Sequence, residues 1–295
     1  MKPLIVWCIL CLVWGSTWIF IKIGLDDLPP ISFAATRFLV SVIILIPIIY
    51  SQKLEFPKTS KEWKIIVISG ILQFFFNYGL LFWGEQFISS GLAAVLQAII
   101  PAFGLILAKF YLPDEQITLK KIIAILLGLF GLIIIFWEQL RFGGILAFWG
   151  SLAVVVGAFC ASYASVLTKT YGANSNPATL VCAQMFVGLI PLSILGFIKE
   201  GNPFNFHWTG MALLSVFYLA IIGSIIAFWL YYWLLRKMDV TKAMMISFVT
   251  PLMAIFIGAI YRNEKLEIQT VFGAILILGS VLLILIKWKK EKAYS

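Results

Sequence analysis

The sequence predicts an all-α integral membrane protein of ten transmembrane helices, arranged as two inverted five-helix repeats. Three observations carry this. Of 295 residues, 62% are hydrophobic and 12% charged, with a mean hydropathy of +1.03, whereas a soluble domain carries about 45–50% apolar and about 25% charged residues. Apolar runs of spanning length recur along almost the whole chain. The two halves can also be laid over one another with mid-span prolines in register. This composition excludes an ordinary globular enzyme, a disordered chain and a disulfide-rich secreted domain, and leaves no room for a sizeable soluble domain.

The runs fall near 4–25, 31–50, 64–83, 88–111, 120–137, 144–168, 178–198, 209–235, 239–260 and 268–287. Each meets the ~17–25 residues that a helical span needs. Each must be helical, because lipid offers backbone groups no partner. The first run is expected to be a span rather than a cleaved signal peptide, being long and lacking an A-x-A-like site.

A net charge of +9 does not indicate a nucleic-acid partner, since the basic residues sit between apolar runs, as membrane topology requires. With the N-terminus inside, the cytoplasmic side receives sixteen of the 22 basic residues, among them Lys53, Lys58, Lys120, Lys121, Lys169, Arg236 and Lys242. The outer side receives Lys22, Arg37, Arg141, Lys199, Arg262 and Lys265. The expectation is a multi-pass protein of the cell (inner) membrane with both termini cytoplasmic. Cys8, Cys11, Cys160 and Cys182 all lie in apolar stretches and read as small packing residues.

Residues 78–111 lie over residues 228–261 at an offset of 150, matching Trp83 with Trp233, Ala93 with Ala243 and Pro101 with Pro251. Earlier spans align at a slightly shorter offset, which pairs Pro30 with Pro177 and sets Arg37 against Gln184. The chain thus divides into residues 1–138, residues 144–287 and a basic tail, 288–295. An odd number of spans per unit inverts one unit relative to the other. Such repeats are a signature of secondary transporters, with the substrate near the midplane at the repeat interface.

Trp14-Gly15-Ser16-Thr17-Trp18 followed by Lys22, and Ala34-Ala35-Thr36-Arg37-Phe38 in the second span, resemble the opening of the EamA family of the drug/metabolite transporter superfamily. Gly91-Leu92-Ala93-Ala94-Val95-Leu96-Gln97 with Pro101 is similar to the family's fourth span. Asp114-Glu115 stands where the family usually has Gly-Glu-Arg. Asn263-Glu264-Lys265 echoes that motif, and Gly273 and Gly279 match the last span. The resemblance covers nearly the whole chain and implies ten helices around a central cavity and export of small metabolites.

Pro101 and Pro251 each remove one helical hydrogen bond and free the carbonyl four residues earlier, that of Gln97 or Ser247. These are candidate kink or gating positions beside candidate substrate residues. The alternative is a packing kink whose carbonyl a neighbour satisfies. Gln73 and Asn77 form an i, i+4 polar pair with Tyr78 adjacent, and either line a cavity or join helices. Trp14 and Trp229 lie deep enough to be cavity candidates. Arg37, with Gln184 opposite it in the repeat, either pairs with Asp26, Asp27 or Glu85 or attracts a substrate carboxylate.

All thirteen acidic residues fall in loops or at span ends, and the single histidine, His207, is in a loop. A proton relay normally uses an intramembrane titratable group, so neutral, zwitterionic or anionic substrates are expected, with Glu85 and Glu138 as candidate outer-rim proton sites. No G-x-x-x-x-G-K-[ST] phosphate loop is present. The expectation is therefore a transporter rather than an enzyme, without cofactor or metal, as monomer or homodimer. It is expected to export small metabolites such as amino acids. Import of a vitamin, cofactor or nucleotide derivative is the alternative, and a lipid-acting enzyme or non-transport protein a remote one.

Overall fold

The computed structural model describes residues 2–88, 90–137, 144–172, 175–262 and 268–285, and regular structure among them is helical. In chain order the helices are α1 (Pro3–Leu25), α2 (Pro30–Ser51) and α3 (Ser60–Gly84). There follow α4, in two pieces (Ser90–Gln97 and Ile100–Tyr111), α5 (Leu119–Ile135), α6 (Ile145–Tyr171) and α7 (Pro177–Glu200). The series closes with α8 (Gly210–Leu235), α9, also in two pieces (Val240–Met244 and Ile246–Arg262), and α10 (Ile268–Leu285). Each overlaps one apolar run of the sequence. Eight of them, all but α5 and α9, are long and apolar enough to cross a membrane. At 17 residues, α5 is at the short limit of the ~17–25 residues of a helical span. The tail 288–295, the Asn263-Glu264-Lys265 motif, Glu138 and Arg141 lie outside the described residues.

Local signals set the helix starts. Pro3, Pro30 and Pro177 occupy the first helical position of α1, α2 and α7, where no N–H is needed and the fixed φ suits the helix. Thr59 and Glu62 form a capping box at α3, and Thr118, Asn176 and Thr209 cap α5, α7 and α8 with their side chains. The start of α2 is capped from a distance: both Glu200 carboxylate oxygens accept N–H groups, from Ile31 at 2.9 Å and Ser32 at 2.7 Å. This ties the end of α7 to the start of α2, and the two helices pack along their length.

The packing comes in matched pairs. α1 lies against α8 and α9, while α6 lies against α3 and α4. α2 packs on α7, and α5 on α10. α3 and α8 share a further irregularity, a π-helical turn at Ile71–Asn77 in one and at Ile221–Ile226 in the other. The two turns begin 150 residues apart, the offset at which the sequence repeats.

α5 and α10 meet through glycine. A Cβ on Gly131 would stand 2.8 Å from the Gly273 carbonyl, and one on Gly273 would stand 2.6 Å from the Gly131 carbonyl. Only glycine permits this backbone approach, the usual device where small residues bring membrane helices together. Gly279, on the same helix, faces open space. Gly131→Val is expected to lower stability by about 1–3 kcal/mol through overpacking, whereas Gly279→Ala is expected to be neutral or slightly stabilising. Unfolding of the purified protein in mixed detergent micelles with rising SDS distinguishes the two.

Candidate functional site

A cavity of about 170 Å³ lies where α1, α2, α3, α4, α6, α8 and α9 converge. Trp14, Arg37, Asn77, Tyr78, Gln97, Ser247 and Pro251, all singled out from the sequence, stand on its wall. Gln97 Nε2 donates to Asn77 Oδ1 at 3.2 Å, so the polar groups of α3 and α4 meet across the cavity. Trp14 sits edge-on to Phe228 and Tyr231, at centroid distances of 5.6 and 5.2 Å.

Helix irregularities make this meeting possible. α4 breaks between Gln97 and Ile100, one residue ahead of Pro101, where Ile99 N–H turns to the Leu96 carbonyl at 3.3 Å. α9 behaves differently. It breaks at Met245, and Pro251 stays inside the following helix. The Ser247 carbonyl that Pro251 leaves free faces Thr250 Oγ1 at 3.5 Å, the limit of a hydrogen bond. Ser247 Oγ is buried with no partner. Pro101 is buried and lies off the wall.

The π turn of α8 builds the charged part of the wall. A π turn shifts the backbone ladder by one residue and commonly marks a functional site. Here the Gly223 carbonyl accepts Arg37 Nη2 at 3.0 Å and Trp14 Nε1 at 3.3 Å. Ser224 Oγ accepts Arg37 Nε at 2.7 Å and donates to the Leu219 carbonyl at 2.8 Å. The guanidinium lies 5.1 Å from the Tyr78 ring centre and 5.3 Å from that of Phe38, within cation–π range. Gly223 has to be glycine: a Cβ would stand 2.8 Å from Thr17 Cγ2.

None of the three acids that could have paired with Arg37 does so among the described residues. Asp27 accepts from Thr209 Oγ1 at 2.5 Å and contacts His207 Nδ1 at 3.1 Å. Those hydrogen bonds, Thr209 first, hold its carboxyl below the usual aspartate range. Glu85, just beyond α3, keeps Oε1 buried without a partner, and burial pushes its carboxyl up from 4.5 to about 7. Asp26 has no contact with Arg37.

Besides Pro101, two of the sequence candidates, both proposed to meet substrate, are not on the cavity wall. Gln184 is fully buried between α7, α3, α6 and α8, donating to Ser69 Oγ at 2.5 Å and Thr168 Oγ1 at 3.2 Å and accepting from Tyr232 at 2.5 Å. Trp229 is 48% exposed on the outside of α8, one helical step from the wall residue Phe228. Gln73, Thr17, Trp18, Tyr231 and Ser165 also line the cavity. Gln73 and Thr17 carry a sequence signal, the i, i+4 spacing to Asn77 and the Trp14–Trp18 motif. Ser165, one small residue on a long apolar helix, carries none.

At one end of the bundle, the turns 112–118 and 236–239 are locked together and tied to Gly172 and Ser175. Glu115 accepts the Val240 N–H on both oxygens at 2.9 Å and pairs with Lys169 at 2.8 Å. Lys169 also donates to the Met238 carbonyl at 2.5 Å. Asp239 pairs with Lys121 at 3.3 Å and Lys242 at 3.2 Å. Burial works against the Asp239 charge, but Lys121 and Lys242 outweigh it and hold the carboxyl below its ordinary value. Arg236 reaches the Gly172 carbonyl at 2.8 Å and also bonds the Ser175 carbonyl.

A family model, the EamA-like transporter family, matches residues 1–137 and 148–286. The chain belongs to this family. It is a family of membrane transporters, and this member is a multi-pass membrane protein. Among its relatives, the uncharacterized transporter YoaV of Bacillus subtilis (strain 168) is 28% identical over 266 residues, covering 90% of each chain. The uncharacterized inner membrane transporter YedA of Escherichia coli (strain K12) is 28% identical over 289 residues, covering 95% of this chain and 89% of YedA. A crystal structure superposes with a TM-score of 0.80 at 20% identity, covering 95% of this chain and 96% of the other, a likeness of fold alone.

Two tests follow from the charged groups. Glu115→Ala removes the carboxylate beside half-buried Lys169 and the acceptor of the Val240 N–H, and is expected to cost about 1–3 kcal/mol, read from SDS-induced unfolding. The raised Glu85 pKa means that the folded chain holds this proton more tightly than the unfolded one. Its contribution is therefore present below the ordinary value of 4.5 and is lost as pH rises through about 7. Glu85→Gln is expected to flatten the fall in thermal stability across that interval, measured by differential scanning fluorimetry in detergent.

Proposed function

We propose that this EamA-family protein is a secondary transporter that exports small metabolites, such as amino acids or related compounds, by alternating access. Ten helices in two inverted five-helix repeats, residues 1–138 and 144–287, enclose the central cavity. The observation that carries this reading is the cavity itself, walled by polar groups from both halves at a π turn and at broken helices. Irregular backbone at membrane depth is tolerated where it lines a cavity or is buried in protein, and paired broken helices at a repeat interface mark transporter binding sites. The mirrored contacts, α1 with α8 and α9 against α6 with α3 and α4, support the inverted repeat, as do the π turns 150 residues apart.

In this reading both termini are cytoplasmic, by the distribution of lysine and arginine. The turns joined through Glu115, Lys169 and Asp239 then close the inner mouth, and opening inward requires those ion pairs to part. The family and its relatives favour carriage over catalysis.

The test is counterflow in proteoliposomes. Vesicles holding the purified protein are preloaded with pooled amino acids, organic acids and nucleosides and challenged with labelled members, with and without a pH gradient. Saturable uptake of at least one member is expected. Gln97→Ala and Asn77→Ala are each expected to cut it by about tenfold, the worth of one hydrogen bond in the site, without loss of expression. Uptake no greater than in empty vesicles across the whole pool overturns the proposal.

A further inference from the structure

The internal repeat supplies a control for Arg37 inside the same molecule. Arg37 on α2 ties to α8 at its π turn, through Ser224 Oγ and the Gly223 carbonyl. At the matching position of the other half, Gln184 on α7 ties to Ser69 of α3, two residues ahead of that helix's π turn. The neutral amide has partners for both its nitrogen and its oxygen, at 0% exposure, and is not on the wall of this cavity. Joining these helix pairs therefore does not require a charge. Arg37 carries one nonetheless. It is 2% exposed, stands on the cavity wall and has no carboxylate partner among the described residues.

A guanidinium stays protonated in any protein environment, and a charge within a membrane span is costly to leave uncompensated. Among the described residues its N–H groups meet Ser224 Oγ and the Gly223 carbonyl, and the neutral Tyr78 hydroxyl also interacts with it. Neutral dipoles and two ring faces partly offset the charge, but none cancels it. The remaining wall is complementary to one class of ligand. Trp14, Tyr78 and Phe228 offer flat apolar surface, Asn77, Gln97 and the unpartnered Ser247 Oγ offer neutral polar groups, and no aspartate or glutamate lines the cavity.

The geometry points to a small organic monocarboxylate as the cargo, its carboxylate on Arg37 and its aromatic or branched apolar body against the rings of α1, α3 and α8. This rests on the transporter reading and narrows its substrate class. The carboxylate supplies the countercharge that the fold withholds, and arginine binds that group in a charge-assisted, directional way. The empty site carries an uncompensated cation and the loaded site does not. Loading is thereby favoured by electrostatics that a neutral analogue of the same shape cannot use.

The experiment compares matched acids and amides on the full-length protein in detergent: 3-phenylpropionate with its amide, 4-methylpentanoate with its amide, and phenylalanine with phenylalaninamide. Affinity is read from thermal shift and from quenching of tryptophan fluorescence, and the same compounds are run in counterflow. At least one acid is expected to bind tenfold or more tightly than its amide. Arg37→Gln, which copies the residue of the other half, is expected to bring acid and amide to parity, and Arg37→Lys to restore part of the difference. Equal binding of every pair by the wild-type protein overturns the inference, as does binding of amides alone. The wild-type comparison decides the matter even if Arg37→Gln fails to fold. Acids that bind with that preference but are not carried in counterflow sink the transport reading and leave the site standing. Amides that are carried as fast as acids do the reverse.

Discussion

In hydrocarbon a backbone carbonyl has no water to turn to, so any carbonyl that leaves the helical ladder must find a donor in the protein. In α8 the π turn at Ile221–Ile226 puts the Gly223 carbonyl in that position, and two side chains answer it, Arg37 from α2 and Trp14 from α1. This three-way junction fixes the relation of α1, α2 and α8. It also places a cation and an indole on one wall of the cavity. The absence of a side chain at Gly223 is part of the arrangement, since Thr17 occupies the space that a Cβ would need.

The other half solves a similar problem with neutral groups. Gln184 binds Ser69, Thr168 and Tyr232, and the helices there pack without opening a polar face. Close helix approach recurs around it: a Cβ on Gly70 would stand 2.7 Å from the Gln184 carbonyl, and one on Gly188 would stand 2.4 Å from Phe74 Cβ. The junction at Gln184 is thus neutral and sealed, while the one at Arg37 bears a charge.

The ends of the molecule use different physics from its centre. The turns at 112–118 and 236–239 are held by ion pairs in which each lysine has a carboxylate nearby, and Arg236 bonds the Gly172 and Ser175 carbonyls. Such ion pairs are worth little where water reaches them, and where it does not, desolvation offsets much of the attraction. The opposite end is joined by Glu200 on the first N–H groups of α2 and by Asp27 with Thr209, hydrogen bonds to helix starts that depend on fixed backbone geometry.

Much of this protein was legible in the chain. Apolar run length marked where the long helices lie, eight of them long and apolar enough to cross a membrane, because span length is set by bilayer thickness and not by neighbours. The mid-span prolines marked α4 and α9 as irregular, and the polar residues Asn77, Tyr78 and Gln97 announced themselves by standing in otherwise apolar runs. What the tertiary structure alone decided was which faces turned inward. Gln184 and Arg37 align when the two halves of the sequence are overlaid, yet one is sealed between helices and the other looks into the cavity. Trp229 and Phe228 are neighbours in sequence, yet one faces outward at 48% exposure and the other lines the wall. The α9 break fell at Met245 rather than at Pro251. The π turns shift the phase of each helix beyond them, and in a chain that is apolar all round no sequence periodicity reports that phase.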